Sequence, residues 1–112
     1  MHELAITRNI LDIALNEAEK HGAKRITAIH LKVGALTSVV PECVEFYLEV
    51  LAKGTIAEGV RLETTIVPLT AHCHKCDLTF PVEDNCFLCP RCGGAASVVS
   101  GRELYIESLE VE

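Results

Sequence analysis

The sequence predicts an α+β fold, in which a small three-stranded sheet carries two helices on one face and a cysteine-rich module is inserted between two strands. Three observations predict it. Two stretches place apolar residues at helical spacing, and three others alternate between apolar and polar residues. Five of the six cysteines fall within residues 70–97. A chain of 112 residues suits one small domain with such an insert.

The first helix is predicted over residues 4–20, where one broad arc of the helix collects most of the apolar side chains. Gly22 ends this helix, since glycine favours the position just beyond a helix C-terminus. A second helix begins at Pro41, a residue well suited to the first turn, and stops at Gly54. The predicted apolar arc of the first helix comprises Leu4, Ile6, Ile10, Leu11, Ile13, Ala14, Leu15 and Ala18, and the second helix has Val44, Tyr47, Leu48 and Leu51 at core spacing.

Three strands are predicted over residues 25–33, 60–67 and 103–111. In the first, Thr27, Ile29, Leu31 and Val33 share one face, and Ala28, His30 and Lys32 share the other. In the last, the apolar alternation shifts between Ile106 and Leu109, which predicts a bulge near Ser108. The element order predicts that residues 1–69 and 99–112 form one α/β domain and that residues 70–98 form an inserted domain.

Composition and charge exclude several classes of function. Ten Lys and Arg against sixteen Asp and Glu give a formal charge of −6, which disfavours a nucleic-acid backbone as partner. No apolar run approaches the roughly 18 residues that a membrane span needs. The first residues lack the basic segment of a signal peptide, so a cytoplasmic location is expected. Thiols stay reduced there, and six cysteines then indicate metal or redox chemistry.

The cysteine module contains two C-x2-C pairs, Cys73 with Cys76 and Cys89 with Cys92, separated by twelve residues. Each pair can point two thiolates at one ion from a tight turn, and four thiolates make the closed tetrahedral site of structural zinc. The spacing therefore predicts a zinc-ribbon-like module. Cys86 with Cys89 is a competing pair, but the Cys-Pro-x-Cys-Gly turn favours Cys92.

Three other potential metal ligands are predicted to have ordinary roles. Cys43 stands alone on the second helix and is predicted to be a small core residue. His72 and His74 flank the first pair and are predicted to be solvated loop residues.

The first three residues form a second candidate metal site. A free amine on Met1, the amide of His2 and its imidazole can chelate one ion through three nitrogens, and such a set favours Ni(II) or Cu(II) over zinc. Glu3 is a candidate fourth donor. The alternative is a frayed terminus in which Glu3 stabilises the helix dipole.

Taken together, these motifs resemble the HypA/HybF family of hydrogenase nickel-incorporation proteins from end to end. The resemblance rests on the Met-His-Glu start followed by a helix, on the two cysteine pairs, and on three further segments. These are Val33-Gly34-Ala35-Leu36, Val40-Pro41-Glu42 and Gly101-Arg102-Glu103-Leu104.

The resemblance implies a nickel metallochaperone, not an enzyme, that serves the maturation of NiFe hydrogenase. It implies nickel binding at His2, with Met1 and Glu3 in support, and zinc on Cys73, Cys76, Cys89 and Cys92. The implied partners are a HypB-type GTPase and the hydrogenase large subunit, with urease maturation proteins as a further possibility. An acidic residue present before the second helix in some members is absent, since Val39 and Val40 stand there.

The main rival function is a small zinc ribbon that binds nucleic acid or acts as a protein-interaction module. Over residues 71–98, Lys75 and Arg91 are outnumbered by Asp77, Glu83 and Asp84, so the module is slightly acidic and nucleic acid is disfavoured. A hydrolase is disfavoured because four cysteine ligands leave zinc no open position. The chain is expected to be a monomer or a homodimer.

Overall fold

The computed structural model describes residues 2–112. Two helices and six strands follow one another along the chain, with a short 3₁₀ turn at Ala35–Thr37. The elements are α1 (Glu3–Lys20), β1 (Ile26–Gly34), α2 (Pro41–Leu51), β2 (Arg61–Val67), β3 (Thr70–Cys73), β4 (Leu78–Pro81), β5 (Ser97–Ser100) and β6 (Leu104–Val111).

Helix α1 matches its predicted limits closely. Glu3 lies in its first turn and Lys20 in its last, each with the charge that the helix dipole favours. At the C-terminal end, Gly22 takes a φ of +67° and its amide donates to the carbonyl of Glu19. The apolar arc is narrower than predicted, because Leu4 and Ile13 are about half exposed (51% and 56%).

The first sheet has the strand order β2-β1-β6. Strands β1 and β2 are parallel, which the intervening α2 permits as a crossover connection, whereas β1 and β6 are antiparallel. The register of β6 shifts between Ile106 and Ser108, so the bulge predicted near Ser108 is confirmed.

A second register shift corrects one predicted strand face. It lies between Ile26 and Ala28 of β1, where the predicted alternation had no irregularity. Ile26 therefore lies in the core, whereas Thr27, which was predicted to share a face with Ile29, is only half-buried. The Thr27 hydroxyl donates to the carbonyl of Glu110 at 3.1 Å. The alternation from Ile29 onward is as predicted.

Both helices pack on one face of this sheet, as predicted, and one apolar cluster joins them to it. This cluster removes apolar side chains of α1, α2 and β1 from water, and such burial is the main favourable contribution to folding. Its buried members are Ile10, Leu11, Ala14, Ala18, Ile26, Ile29, Leu31, Val33, Val39, Val44, Leu48, Ala52 and Ala57.

The second sheet has the order β4-β3-β5 and lies between β2 and β6 in the sequence. It has its own small cluster of four buried residues, Ala71, Cys73, Phe80 and Cys89. The molecule extends over 55 × 25 × 16 Å, with one cluster in each sheet. Strand β5 runs to Ser100, two residues past the predicted end of the insert, and the division of the chain into 1–69 with 99–112 and 70–98 stays a prediction.

The two segments that link the sheets, residues 68–69 and 101–103, cross close to each other and to Gly34 at the end of β1. A Cβ added to Gly34 would lie 2.2 Å from the carbonyl oxygen of Gly101, and one added to Gly101 would lie 2.7 Å from Cα of Leu69. Backbone hydrogen bonds hold the crossing, from the amide of Gly34 to the Glu103 carbonyl at 2.6 Å and from the amide of Leu36 to the Gly101 carbonyl at 2.8 Å. Only glycine fits this close approach of two backbones.

The outer face of the first sheet carries a network of charged residues. The two ring nitrogens of His30 lie 3.1 Å from a carboxylate oxygen of Glu63 and 2.6 Å from one of Glu110. Arg61 contacts the same two carboxylates at 2.9 and 3.2 Å. The hydrogen bond to His30, aided by the charge of Arg61, lowers the pKa of Glu110 below its usual range despite some desolvation.

This network predicts a pH dependence of stability. Because the pKa of Glu110 is lower in the folded state than in the unfolded chain, its ionised form stabilises the fold. That contribution is present above the unfolded pKa of about 4.3 and is lost as pH falls through the lower folded value. We expect Glu110→Gln to lower the free energy of unfolding at pH 7 and to match the unsubstituted chain at the acid end.

Urea unfolding between pH 7 and pH 3 measures this difference. Glu45→Gln is the control, since Glu45 is exposed and has no ion pair among the described residues. If Glu110→Gln lowers the free energy of unfolding by the same amount over this whole pH range, the prediction is contradicted.

Within residues 2–112, no helix combines the length and the apolar character needed to cross a membrane.

Candidate metal centre

The first cysteine pair lies on the turn between β3 and β4. Cys73 is the last residue of β3 and pairs with Leu78 of β4, so Cys76 falls within the connecting turn. Asp77 closes the turn with a φ of +51°, a left-handed conformation that aspartate tolerates better than most residues. The turn directs both thiols to the same side.

The second pair lies on a similar turn between Leu88 and Ala95, which form an isolated bridge. The amide of Cys89 donates to the carbonyl of Gly94, and the amide of Gly93 donates to the carbonyl of Cys89, each at 2.8 Å. Gly93 takes a φ of +74°, so the glycine after Cys92 is required by the turn.

The two turns bring the four predicted cysteines together. All four sulfur atoms lie within 4.8 Å of one another, and the Sγ atoms of Cys73 and Cys92 are 3.6 Å apart. In a tetrahedral site with zinc–sulfur bonds of about 2.3 Å, neighbouring sulfur atoms are about 3.8 Å apart. The donor set and its spacing therefore fit a structural metal ion.

Backbone amides also point at the cysteine sulfurs. The amide of Arg91 donates to Sγ of Cys89, and the amide of Gly94 donates to Sγ of Cys92, both at 3.4 Å. Such bonds stabilise a thiolate more than a thiol, and outer hydrogen bonds of this kind orient metal ligands.

Two of the four thiols have pKa values that are shifted in opposite directions. Backbone amides, first that of Cys92 and then that of Arg91, lower the pKa of Cys89 to about 7 against opposing desolvation. A hydrogen bond with Cys92, followed by desolvation, raises the pKa of Cys76 to about 12. Without a metal, part of the cluster therefore stays protonated and neutral. A divalent cation would displace these protons and bind four thiolates.

The remaining cysteines lie outside this cluster. Cys86 is exposed and is not among the converging sulfur atoms, so the choice of Cys92 over Cys86 agrees with the geometry. Cys43 is exposed on α2, which makes its predicted role as a core residue wrong. The helix turns Val44 and Leu48 inward instead, and the neighbouring position faces solvent.

The histidines beside the first pair make contacts with other side chains of the module. His72 is half-buried rather than solvated, with Nδ1 2.7 Å from the Thr79 hydroxyl and Nε2 3.2 Å from the Asp77 carboxylate. His74 is exposed, as predicted, and its ring meets that of His72 edge to face at 5.1 Å.

Two of the predicted nickel donors, His2 and Glu3, lie at the start of α1. Met1 is outside the described residues. His2 is exposed and its side chain caps no helix amide, although its carbonyl accepts a bond from the amide of Ile6 at 3.1 Å. Glu3 is half-buried, and its carbonyl accepts the hydroxyl of Thr7 at 2.6 Å. The imidazole of His2 is therefore accessible to an ion or a partner.

Among the described residues, a second group of potential metal donors lies close together, and it consists of His30, Glu63 and Glu110. The strand alternation predicts that His30 lies on the opposite face of β1 from Ile29 and Leu31, but it does not predict the two carboxylates beside it. They come from β2 and β6, and no local pattern shows which residues of separate strands stand side by side.

Two solved structures resemble this one along nearly their whole length. One is the solution structure of the Ni metallochaperone HypA from Helicobacter pylori, with a TM-score of 0.71, 18% identity, and coverage of 99% of this chain and 97% of that one. The other is a solution structure of HypA protein, with a TM-score of 0.76, 17% identity, and coverage of 100% and 97%. At these identities the likeness establishes the fold.

The sequence itself has much nearer relatives. The hydrogenase maturation factor HypA of Geobacter sulfurreducens is 44% identical over 113 residues, and that of Caldanaerobacter subterraneus subsp. tengcongensis is 40% identical over 114, each covering both chains completely. The sequence model of the family described as "Hydrogenase/urease nickel incorporation, metallochaperone, hypA" matches residues 1–111. On this match and these identities, the chain belongs to the HypA family of nickel metallochaperones for hydrogenase maturation.

Proposed function

We propose that this protein binds Ni(II) at its N-terminus and delivers it to the large subunit of a NiFe hydrogenase. His2 is the central ligand, with the amine of Met1 and the carboxylate of Glu3 in support. A HypB-type GTPase is the proposed partner in the same pathway. The protein acts as a carrier rather than an enzyme, in the cytoplasm.

One observation carries this proposal: the match to the nickel-incorporation family begins at residue 1 and so includes the Met-His-Glu start. The exposure of His2 supports it, because an exposed chelate can exchange its ligands with those of an acceptor. Nitrogen donors in this arrangement suit Ni(II), which favours tetragonal geometry.

The cysteine cluster supplies a separate, structural function in this proposal. Cys73, Cys76, Cys89 and Cys92 hold one zinc ion, and the ion stabilises the second sheet. Two of these cysteines are buried, with 2% of Cys73 and 3% of Cys89 exposed, so the site is poorly suited to rapid metal transfer. In this proposal, the binding of nickel and the stability of the cysteine module therefore depend on different residues.

Nickel titration tests the proposal most directly. We expect the zinc-loaded chain, produced with nothing before Met1, to bind one Ni(II), and we expect His2→Ala to weaken this binding by at least about tenfold, because an imidazole ligand is lost. A form extended by one residue before Met1 should also bind more weakly, since it displaces the terminal amine. Isothermal titration with metal analysis measures both.

The control is His74→Ala, which removes an exposed imidazole near the other cluster and should leave nickel affinity unchanged. Zinc content should stay at one per chain in every variant. Undiminished nickel binding in both the His2→Ala and the extended forms would exclude the terminal site.

Delivery has a second candidate destination, because the family description names urease as well as hydrogenase. Transfer assays distinguish the two. Nickel-loaded protein should raise the nickel content of an immature hydrogenase large subunit, and His2→Ala should not. Transfer to urease maturation proteins alone would assign the protein to that pathway.

A further inference from the structure

Strand β6 leaves one edge of the first sheet open. The order β2-β1-β6 puts β6 at the edge, and no other strand of residues 2–112 pairs with its far side. At its two ends the backbone bonds inward, from the Gly34 amide to the Glu103 carbonyl and from the Glu112 amide to the Arg25 carbonyl. Between them, alternate residues of an antiparallel strand direct their amide and carbonyl groups outward. An unpaired edge of this kind is a template for another strand.

A groove runs beside this edge on the helix-bearing face. It has a volume of about 380 Å³ and lies between α1 and residues 106–111 of β6. Ile13, which is 56% exposed, lines it from α1 together with Glu17 and His21, and Ile106 and Leu109 line it from the strand. A strand added to β6 would place every second side chain over this groove, where apolar side chains would cover Ile13.

The opposite face of the same edge is acidic. Residues 103–112 contain four glutamates and no lysine or arginine. The cationic side chains that contact Glu107 and Glu110 come from the other two strands of the sheet and not from beyond β6: Lys32 of β1 lies 3.1 Å from Glu107, and Arg61 of β2 lies 3.2 Å from Glu110. A strand on the far side of β6 would have its outward side chains beside these carboxylates. Cationic side chains there would continue the alternation of charge across the sheet.

From the open edge, the groove and the charges, we propose that β6 binds an extended segment of another protein as an added strand. The segment alternates apolar side chains, which fill the groove beside Ile13, with lysine or arginine, which meet Glu107 and Glu110. A second copy of this chain fits less well, because two β6 edges would bring acidic strands together. The bulge between Ile106 and Ser108 confines regular pairing to the residues on either side of it. This inference concerns partner binding and does not depend on nickel.

Peptide binding to the zinc-loaded chain tests the proposal. The probe is an eight-residue peptide of alternating lysine and valine, compared with one of alternating glutamate and valine. We expect saturable binding of the first only, with amide chemical-shift changes at residues 104–111 and at Ile13, and none along Arg61–Val67. Because a strand pairs through one edge at a time, N-methylation of one alternate set of peptide amides should abolish binding and methylation of the other set should not.

Two variants distinguish binding at this site from non-specific binding of the peptide. Ile13→Asn should weaken binding about tenfold, because it removes an apolar contact in the groove. Ile66→Asn is the matched control, since Ile66 is equally exposed (51%) but lies on β2 at the opposite edge, and it should change affinity little. Shift changes along β2, equal effects of the two variants, or binding insensitive to both methylation patterns would overturn the proposal. So would a concentration-dependent dimer that Ile13→Asn dissociates, since a second copy would then occupy the edge.

Discussion

Replacing Cys73 by serine is expected to remove zinc and to unfold the second sheet while the first sheet stays folded. The second sheet has four buried residues in its cluster, and Cys73 and Cys89 are two of them. So small an apolar cluster cannot offset the conformational entropy of ordering the module, which makes the metal its main source of stability. In zinc-finger peptides, structural zinc contributes an apparent 10–16 kcal/mol at about pH 7.

Metal analysis and amide spectra measure this outcome. Zinc should fall from one per chain to nearly none, and the dispersed amide signals of β3, β4 and β5 should collapse toward unfolded values. Signals of α1 and β1 should persist, because their cluster of thirteen buried residues contains no cysteine. Cys86→Ser is the control, since Cys86 lies outside the converging sulfur atoms, and it should keep both zinc and the fold. A module that remains folded without zinc would contradict this account.

Gly34→Ala is expected to be the most damaging substitution outside the cysteines. The added methyl group would lie 2.2 Å from the Gly101 carbonyl oxygen and 2.7 Å from the Arg102 amide nitrogen, all of it backbone that no side-chain rotation can relieve. The linking segment would have to move, and the backbone hydrogen bonds at the crossing would lengthen. We expect a loss of about 3 kcal/mol or more in the free energy of unfolding, the upper range for overpacking.

Gly22→Ala is the matched control for this substitution. Gly34 has an ordinary φ of −70° and no room for a side chain, whereas Gly22 has a φ of +67° and no heavy atom within 4 Å of an added Cβ. The pair thus separates steric overlap from backbone strain, which costs about 1–2 kcal/mol in the left-handed region. Urea unfolding of the zinc-loaded variants measures both. A smaller effect at Gly34 than at Gly22 would show that the crossing is looser than its geometry indicates.

Local patterns in the sequence determined the two helices, the three strands of the first sheet and the four converging cysteines, but not the strands β3, β4 and β5 of the second sheet. Amphipathic spacing places Leu11 and Val44 in the core because a helix repeats every 3.6 residues whatever it packs against. The two C-x2-C pairs are equally local, since each forms its own tight turn. Even the bulge of β6 was visible, as a change of apolar parity around Ser108.

Other features depend on pairings between distant segments. The irregularity that moves Ile26 inward and Thr27 outward arises from the register of β1 against β6. Ile13 belongs to the same apolar arc as Leu11 and is nevertheless exposed, because the sheet ends at β6 and no further strand of residues 2–112 extends it past that edge. Cys43 is exposed for a similar reason, since α2 contacts the core along one side only.

By itself, then, the sequence determined the two helices, the three strands of the first sheet, the cysteine cluster and the resemblance to a nickel-incorporation family, to which the chain is shown to belong. Only the tertiary structure decided the rest: the close crossing of Gly34 and Gly101, the meeting of His30 with Glu63 and Glu110, and the open acidic edge of β6. The physical reason is one of range. Periodicity and turn chemistry act over a few residues, whereas strand order and register join residues that are far apart in the chain, such as His30 and Glu110 at a separation of 80 positions.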